Sequence, residues 1–231
     1  FLLRLTEAGA PTTAVAYGDG ALQSADVIVS DNQGRYAIAG ITEGNIDLGG
    51  GAIANVGSHA FLGIFSSGGH LASRVFSGGG DNVLAGLDMV DDGLWTGGHF
   101  KVDVDLGGGA VAASGPEDDI FAASYIGNGN LVMSDTFGDM QSDELLDLVG
   151  GIDLNSPLVI GGRFRGQLSI HDVDMVSAGG YDGFLVWIEA GNNAYRRLGD
   201  DANQRVAEVA RTGTLIVASG EFSGSTDFGS G

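Results

Sequence analysis

Three acidic residues occupy matching places along the chain: Asp88, Asp147 and Glu208, flanked by Leu87 and Met89, Leu146 and Leu148, and Ala207 and Val209. On extended strands the apolar neighbours point to one face and the carboxylates to the other. Strands converging on a common axis would bring the three carboxylates together, and a hard cation such as calcium would offset their repulsion. A second chemistry open to the same pattern uses Asp88 and Asp147 as the acid and base of a hydrolase or lyase. A third is structural, each carboxylate taking a private partner in the neighbouring unit, an Arg or a backbone amide. The first copy of the pattern has Ile28 at this place.

Other motifs carry less chemistry. Asp103 and Asp105 form a D-x-D on one strand face; Asp47 and Asp227 match Asp105, and Ser169 replaces it in the third copy. An Asp recurring at one place suits a turn cap, and the motif lacks the D-x-D-x-D-G spacing of a calcium loop. Gly49 to Ala54 and Gly107 to Ala112 both satisfy G-x-G-x-x-A, but no helix-period segment follows either. A Gly-rich loop between strands is therefore expected rather than a dinucleotide site. His59, His70, His99 and His171 are scattered and read as ordinary surface or loop residues, and no G-x-S-x-G elbow is present. Trp95 aligns with Ala37, Val159 and Ile216, which marks it as a packing residue. No catalytic or cofactor-binding residue is assigned.

The elements that would position these residues repeat. Phe1, Phe61, Phe121 and Phe184 open matching apolar runs at intervals of 60, 60 and 63 residues, with Gly9, Gly69, Gly129 and Asn192 closing the first turn. Gly and Asn are the residues for a positive φ. Gly-Asp pairs follow at Gly18, Gly80, Gly138 and Gly199, then two further runs, the last ending on Gly40, Gly98, Gly162 and Gly220. Apolar residues alternate rather than recur every three or four positions, so the expectation is all-β, with four strands per unit and no helices. Four-stranded units at a fixed period predict a β-propeller, one domain over 1–231 with repeats at about 1–60, 61–120, 121–183 and 184–231.

The Phe opening, the G-x-F-x-G-x-x-D-F/L-G-G tail, closest at Gly220 to Gly229, and the Gly-Asp-Phe link ending on Phe184 resemble the bacterial repeat family named for seven-bladed β-propellers. That resemblance covers essentially the whole chain. It implies that the third run is the innermost strand of a blade and the Phe run an outer one, so the chain starts and stops halfway through a blade. Two arrangements follow: residues 1–20 pair with 200–231 and close a ring of four blades, or the chain is part of a larger ring. The lack of an initiator Met and of a signal peptide fits a processed, excised or partial chain.

Composition narrows the function classes. The formal charge is −20, from 30 acidic residues against nine Arg and the single Lys101. Such a surface repels phosphate backbones and anionic lipid, which disfavours nucleic acid and membrane partners. There is no cysteine, and no apolar run reaches the ~18 residues of a membrane-spanning helix. Few Lys, many Gly and Asp, and the family resemblance together place the protein outside the cell or at its surface. The function expected is a non-enzymatic module for protein or glycan binding or structural display. Its alternatives are a hydrolase or lyase working through a carboxylate pair, and a component of a larger assembly joined through its terminal half-blades.

Overall fold

The computed structural model describes residues 1–189, 193–226 and 228; Asn192, Asp227 and Gly229 lie outside them. The described residues form strands and no helix. A hairpin of β1 (Leu2–Leu5) and β2 (Pro11–Val15) comes first. Next is a four-stranded antiparallel meander: β3 (Gln23–Ser30), β4 (Tyr36–Thr42), β5 (His59–Ser66) and β6 (Gly69–Val75). In the second sheet, β7 (Asn82–Val90) and β8 (Gly93–Phe100) are followed by a small hairpin, β9 (Asp103–Asp105) and β10 (Ala110–Ala112). The sheet then resumes with β11 (Asp119–Ile126) and β12 (Leu131–Phe137). The third repeats this plan: β13 (Asp143–Val149), β14 (Leu158–Phe164), a hairpin of β15 (Gln167–Ile170) and β16 (Val173–Val176), then β17 (Asp182–Ile188) and β18 (Ala194–Leu198). A last hairpin joins β19 (Gln204–Thr212) to β20 (Leu215–Phe222).

The small hairpins add strands beyond the four expected in each unit. Their strands are three or four residues long, too short for alternation to reveal them. The G-x-G-x-x-A segments end these turns: Gly107 to Gly109 link β9 to β10, and Gly49 to Gly51 lie between the bridged Ile46 and Ile53. No helix follows either, so neither has the strand-turn-helix frame of a dinucleotide site.

The sheets stack face to face in chain order, each junction closed by apolar side chains. Leu62, Leu84, Phe100 and Phe121 share a core between the first and second sheets; Ala122, Leu145, Phe164 and Phe184 share one between the second and third. Val159 and Leu185 pack with Val206 and Val209 of β19, and Leu2 and Tyr17 lie against Phe61 and Phe65 of the first sheet.

One register explains the repeating glycines. Gly40, Gly98 and Gly162 on the second strands stand opposite Phe61, Phe121 and Phe184 on the third. On the other side they face Ala25, Leu84 and Leu145, each followed at once by a one-residue bulge, and Gly220 faces Val206 in the same way. The bulge turns a first-strand carbonyl onto the glycine, so a Cβ there would overlap Ser24 O, Val83 O, Glu144 O or Arg205 O. The glycines of the first turn serve another need: Gly9, Gly69 and Gly129 hold φ of 82, 120 and 83°.

Residues 1–20 do not pair with 200–231 among the described residues: β1 is paired only with β2, and β20 only with β19. The two hairpins are instead anchored at opposite ends of the row of three sheets.

Candidate functional site

Asp88 on β7, Asp147 on β13 and Glu208 on β19 all lie on first strands, but they do not form one group. Counting from Leu84, Leu145 and Val206, which face the aligned glycines, Asp147 and Glu208 come two residues later and Asp88 four. Sequence alignment could not place the bulge, so Asp88 was matched two residues out of register. Among the described residues no three His, Cys, Asp or Glu side chains are disposed to hold a metal ion.

Each of the two aspartates binds the backbone of the next unit. Asp88 accepts a hydrogen bond from the Gly150 amide at 2.8 Å, and Asp147 one from the Val209 amide at 2.7 Å. Burial raises the pKa of Asp88, with Arg211 opposing. That arginine donates to the Gly150 carbonyl at 2.8 Å and to the Pro157 carbonyl at 3.0 Å. Burial pushes Asp147 up to about 6; the amides of Val209 and Leu148 oppose it, and neighbouring Glu208 adds to it. Asp147→Ala strands the Val209 amide and is expected to cost about 1–2 kcal/mol in chemical denaturation. Asp147→Asn retains an acceptor and should cost less.

Asp47 and Asp105 are turn caps. Asp47 accepts from the amides of Gly49 and Gly51, and Asp105 from those of Gly107 and Gly109, at 2.7 to 3.1 Å. Asp103 accepts from the Gly79 amide. The Gly-Asp turns act as clamps. Asp19, Asp139 and Asp200 each hold the amide two residues on, at Ala21, Gln141 and Ala202, and a second amide beyond the next two strands, at Asn45, Gln167 and Ser225. These bonds hold the Asp200 carboxyl at about 2.

Histidine placement departs from expectation at His59, which is buried, with Nδ1 2.6 Å from Asn55 Oδ1 and Nε2 3.1 Å from the Gly78 carbonyl. It opens β5 at the place Asp119 and Asp182 hold in β11 and β17, where the chain enters a sheet centre and the side chain has no route to water. Trp95 is buried in the core between the second and third sheets.

Two sites escaped sequence reasoning. One is a pair of buried carboxyls, Asp119 and Asp143, at the junction of the second and third sheets, each with an Oδ1 that has no hydrogen-bond partner. Asp143 opens β13, where β3, β7 and β19 begin with the amides Gln23, Asn82 and Gln204. That substitution pattern was its only sequence signal. Burial, with the charges of Asp139 and Asp119 beside it, pushes Asp143 up to about 8, and burial raises Asp119 as well.

The other is a groove of about 630 Å³ between the second and third sheets, bringing together Trp95, Met133, Leu154, His171, Ile188 and Asn193 from six separate segments. His171 caps the β15–β16 turn at φ 53° and lies edge-on to Phe137 at 5.4 Å, while the next residue, Asp172, accepts from the Asn193 side chain. No local motif marks residues that meet only through the stacking of sheets.

The sequence matches no protein-family model and no curated protein.

Proposed function

We propose that the chain is a non-enzymatic β-propeller module, outside the cell or at its surface, that offers its rim loops to a protein or glycan. Three stacked four-stranded meanders, each packed against the first strand of the next unit, support the propeller reading. The observation that carries the binding role is the groove between the second and third sheets. Its apolar floor of Trp95, Met133 and Ile188 is rimmed by Asn155, Ser156 and Asp172, the mixture that buries a ligand while fixing its orientation. The non-enzymatic reading rests on Asp88 and Asp147, the pair an enzyme would need, each being engaged with a backbone amide of the neighbouring unit. The formal charge of −20 favours neutral or cationic ligands.

The test is binding to glycan and purified extracellular-protein panels, compared with a Met133→Arg variant. Met133 is 38% exposed, so the change should leave folding intact while lowering groove affinity at least tenfold. The reading fails if every ligand found binds the variant equally well, or if the protein shows a turnover that Asp88→Asn or Asp147→Asn abolishes.

A further inference from the structure

Between the first and second sheets, the space beside the outer strand is filled by an arginine of the chain itself. Arg74 on β6 stands opposite Leu62 of β5 and crosses to the next sheet, where its guanidinium carbon lies 5.4 Å from the centre of the Tyr125 ring. It also reaches the β9–β10 turn, so closely that a Cβ at Gly107 would overlap it. The space left there, lined by Ala72, Arg74 and Tyr125, is only about 10 Å³.

Register carries each of these residues to a counterpart between the second and third sheets. Counted from Phe61 and Phe121, which face Gly40 and Gly98, Ala72 and Arg74 correspond to Met133 and Asp135; counted from Phe121 and Phe184, Tyr125 corresponds to Ile188. A carboxylate thus stands in the place of the guanidinium, and the groove of about 630 Å³ opens there, with Met133 and Ile188 in its lining. Asp172 and Glu189 rim it, and Asn193 ties them together: its Oδ1 accepts from the Glu189 amide at 3.0 Å, and its Nδ2 donates to Asp172. That bond holds the Asp172 carboxyl below the usual carboxylate range. Among the described residues no Lys or Arg lines the groove, and its one base, His171, stands 3.6 Å from Asp135. Trp95 in the lining is 3% exposed, and its indole N–H has no hydrogen-bond partner.

On the reading that this groove is the binding site, we propose that it takes an arginine side chain of a protein partner, laid in the space that Arg74 fills one junction earlier. The guanidinium sits among Asp135, Asp172 and Glu189, and its methylene stem runs along Met133 and Ile188. A guanidinium offers five N–H donors in a planar fork that suits carboxylates, while the stem covers apolar surface. The main chain of the partner brings a carbonyl, the acceptor that the Trp95 indole lacks. A neutral sugar leaves the carboxylates without a countercharge, and Trp95 is too deeply buried to offer its face to a sugar ring.

The test is calorimetric titration with the end-capped peptide Gly-Gly-Arg-Gly-Gly and with the same peptide carrying citrulline, the uncharged isostere of arginine. The arginine peptide is expected to bind at one site, and the citrulline peptide about tenfold more weakly or worse. Asp172→Asn combined with Glu189→Gln, both at exposed positions, should weaken the arginine peptide by about tenfold. Asp135→Arg, which restores the residue type of the first junction, should fill the groove from within and abolish binding at an unchanged melting temperature. Failure of the arginine peptide to bind overturns the proposal, as does an affinity unchanged in the Asp172→Asn, Glu189→Gln protein. Equal binding of the two peptides that Met133→Arg abolishes also overturns it, while leaving the groove as the binding site. Binding of the arginine peptide that Met133→Arg leaves intact removes the groove itself, and both readings with it. A neutral oligosaccharide that binds the groove in place of the arginine peptide decides for a glycan and against the proposal.

Discussion

Gly98→Ala is expected to be the most damaging single-methyl change in the second sheet, lowering stability by about 3 kcal/mol or more. The backbone at Gly98 is ordinary strand, and the obstacle is space: a Cβ would lodge in the Val83 carbonyl oxygen, with the Leu84 Cα behind it. Neither atom belongs to a side chain that can swing away. Relief would require the bulge after Leu84 to shift, and with it the β7–β8 ladder that seats Leu84 and Leu87 in the core. Gly20→Ala is the control, because that glycine is exposed, has open space at its Cβ and holds no positive φ. It should be neutral, or stabilising by about 0.5 kcal/mol through the loss of unfolded-state freedom. Equilibrium denaturation followed by Trp95 fluorescence separates the two variants. A Gly98→Ala protein as stable as wild type would refute the explanation given for all four late glycines.

Asp143→Asn should act in the opposite direction and stabilise the protein at neutral and alkaline pH. Asp143 is completely buried, accepts from the Asp139 amide at 3.1 Å, and faces Asp119 of β11 and Asp139 of its own turn. The counterpart of Asp119 at the next junction, Asp182, is paired with Arg197, but β12 has Thr136 where β18 has Arg197. Asp119 and Asp143 thus face burial with no cation beside them. Because burial raises the Asp143 pKa from 3.8 to about 8, the folded protein keeps the proton across an interval in which the unfolded chain has lost it. The contribution of Asp143 to stability therefore falls as pH rises from about 4 to about 8 and is level on either side of that window. An amide removes this slope. It can also accept from the Asp139 amide and donate to the Phe137 carbonyl, as Asn82 donates to the Phe76 carbonyl at 2.6 Å. The expected gain is on the order of 2 kcal/mol at pH 8, vanishing below pH 4. Denaturation midpoints of both proteins across that range provide the check, and parallel profiles would mean that Asp143 does not carry the proton.

The division between what could be read and what could not follows from range. Alternation at period two and the spacing of Phe61, Phe121 and Phe184 against Gly98 and Gly162 are local or periodic signals, and they led to an all-β chain of four-stranded units. The turn-cap reading of Asp47 and Asp105 was legible for the same reason, since a short carboxylate meets amides two and four residues away whatever surrounds it. The bulge beside each late glycine was not legible, because one extra residue in a strand leaves no mark on composition, and so Asp88 was aligned out of register with Asp147.

By itself the sequence determined the longer strands, their four-per-unit grouping, the turns and the acidic surface, all of which depend on neighbours in the chain. Only the tertiary structure decided that Asp88 and Asp147 bind amides 62 residues away, that Asp119 and Asp143 are buried together, and that Trp95 lies beside Met133 in a groove. Those relations arise where one sheet's face meets the next. Which side chains meet there is set by register and stacking, properties of the assembled sheets rather than of any one segment.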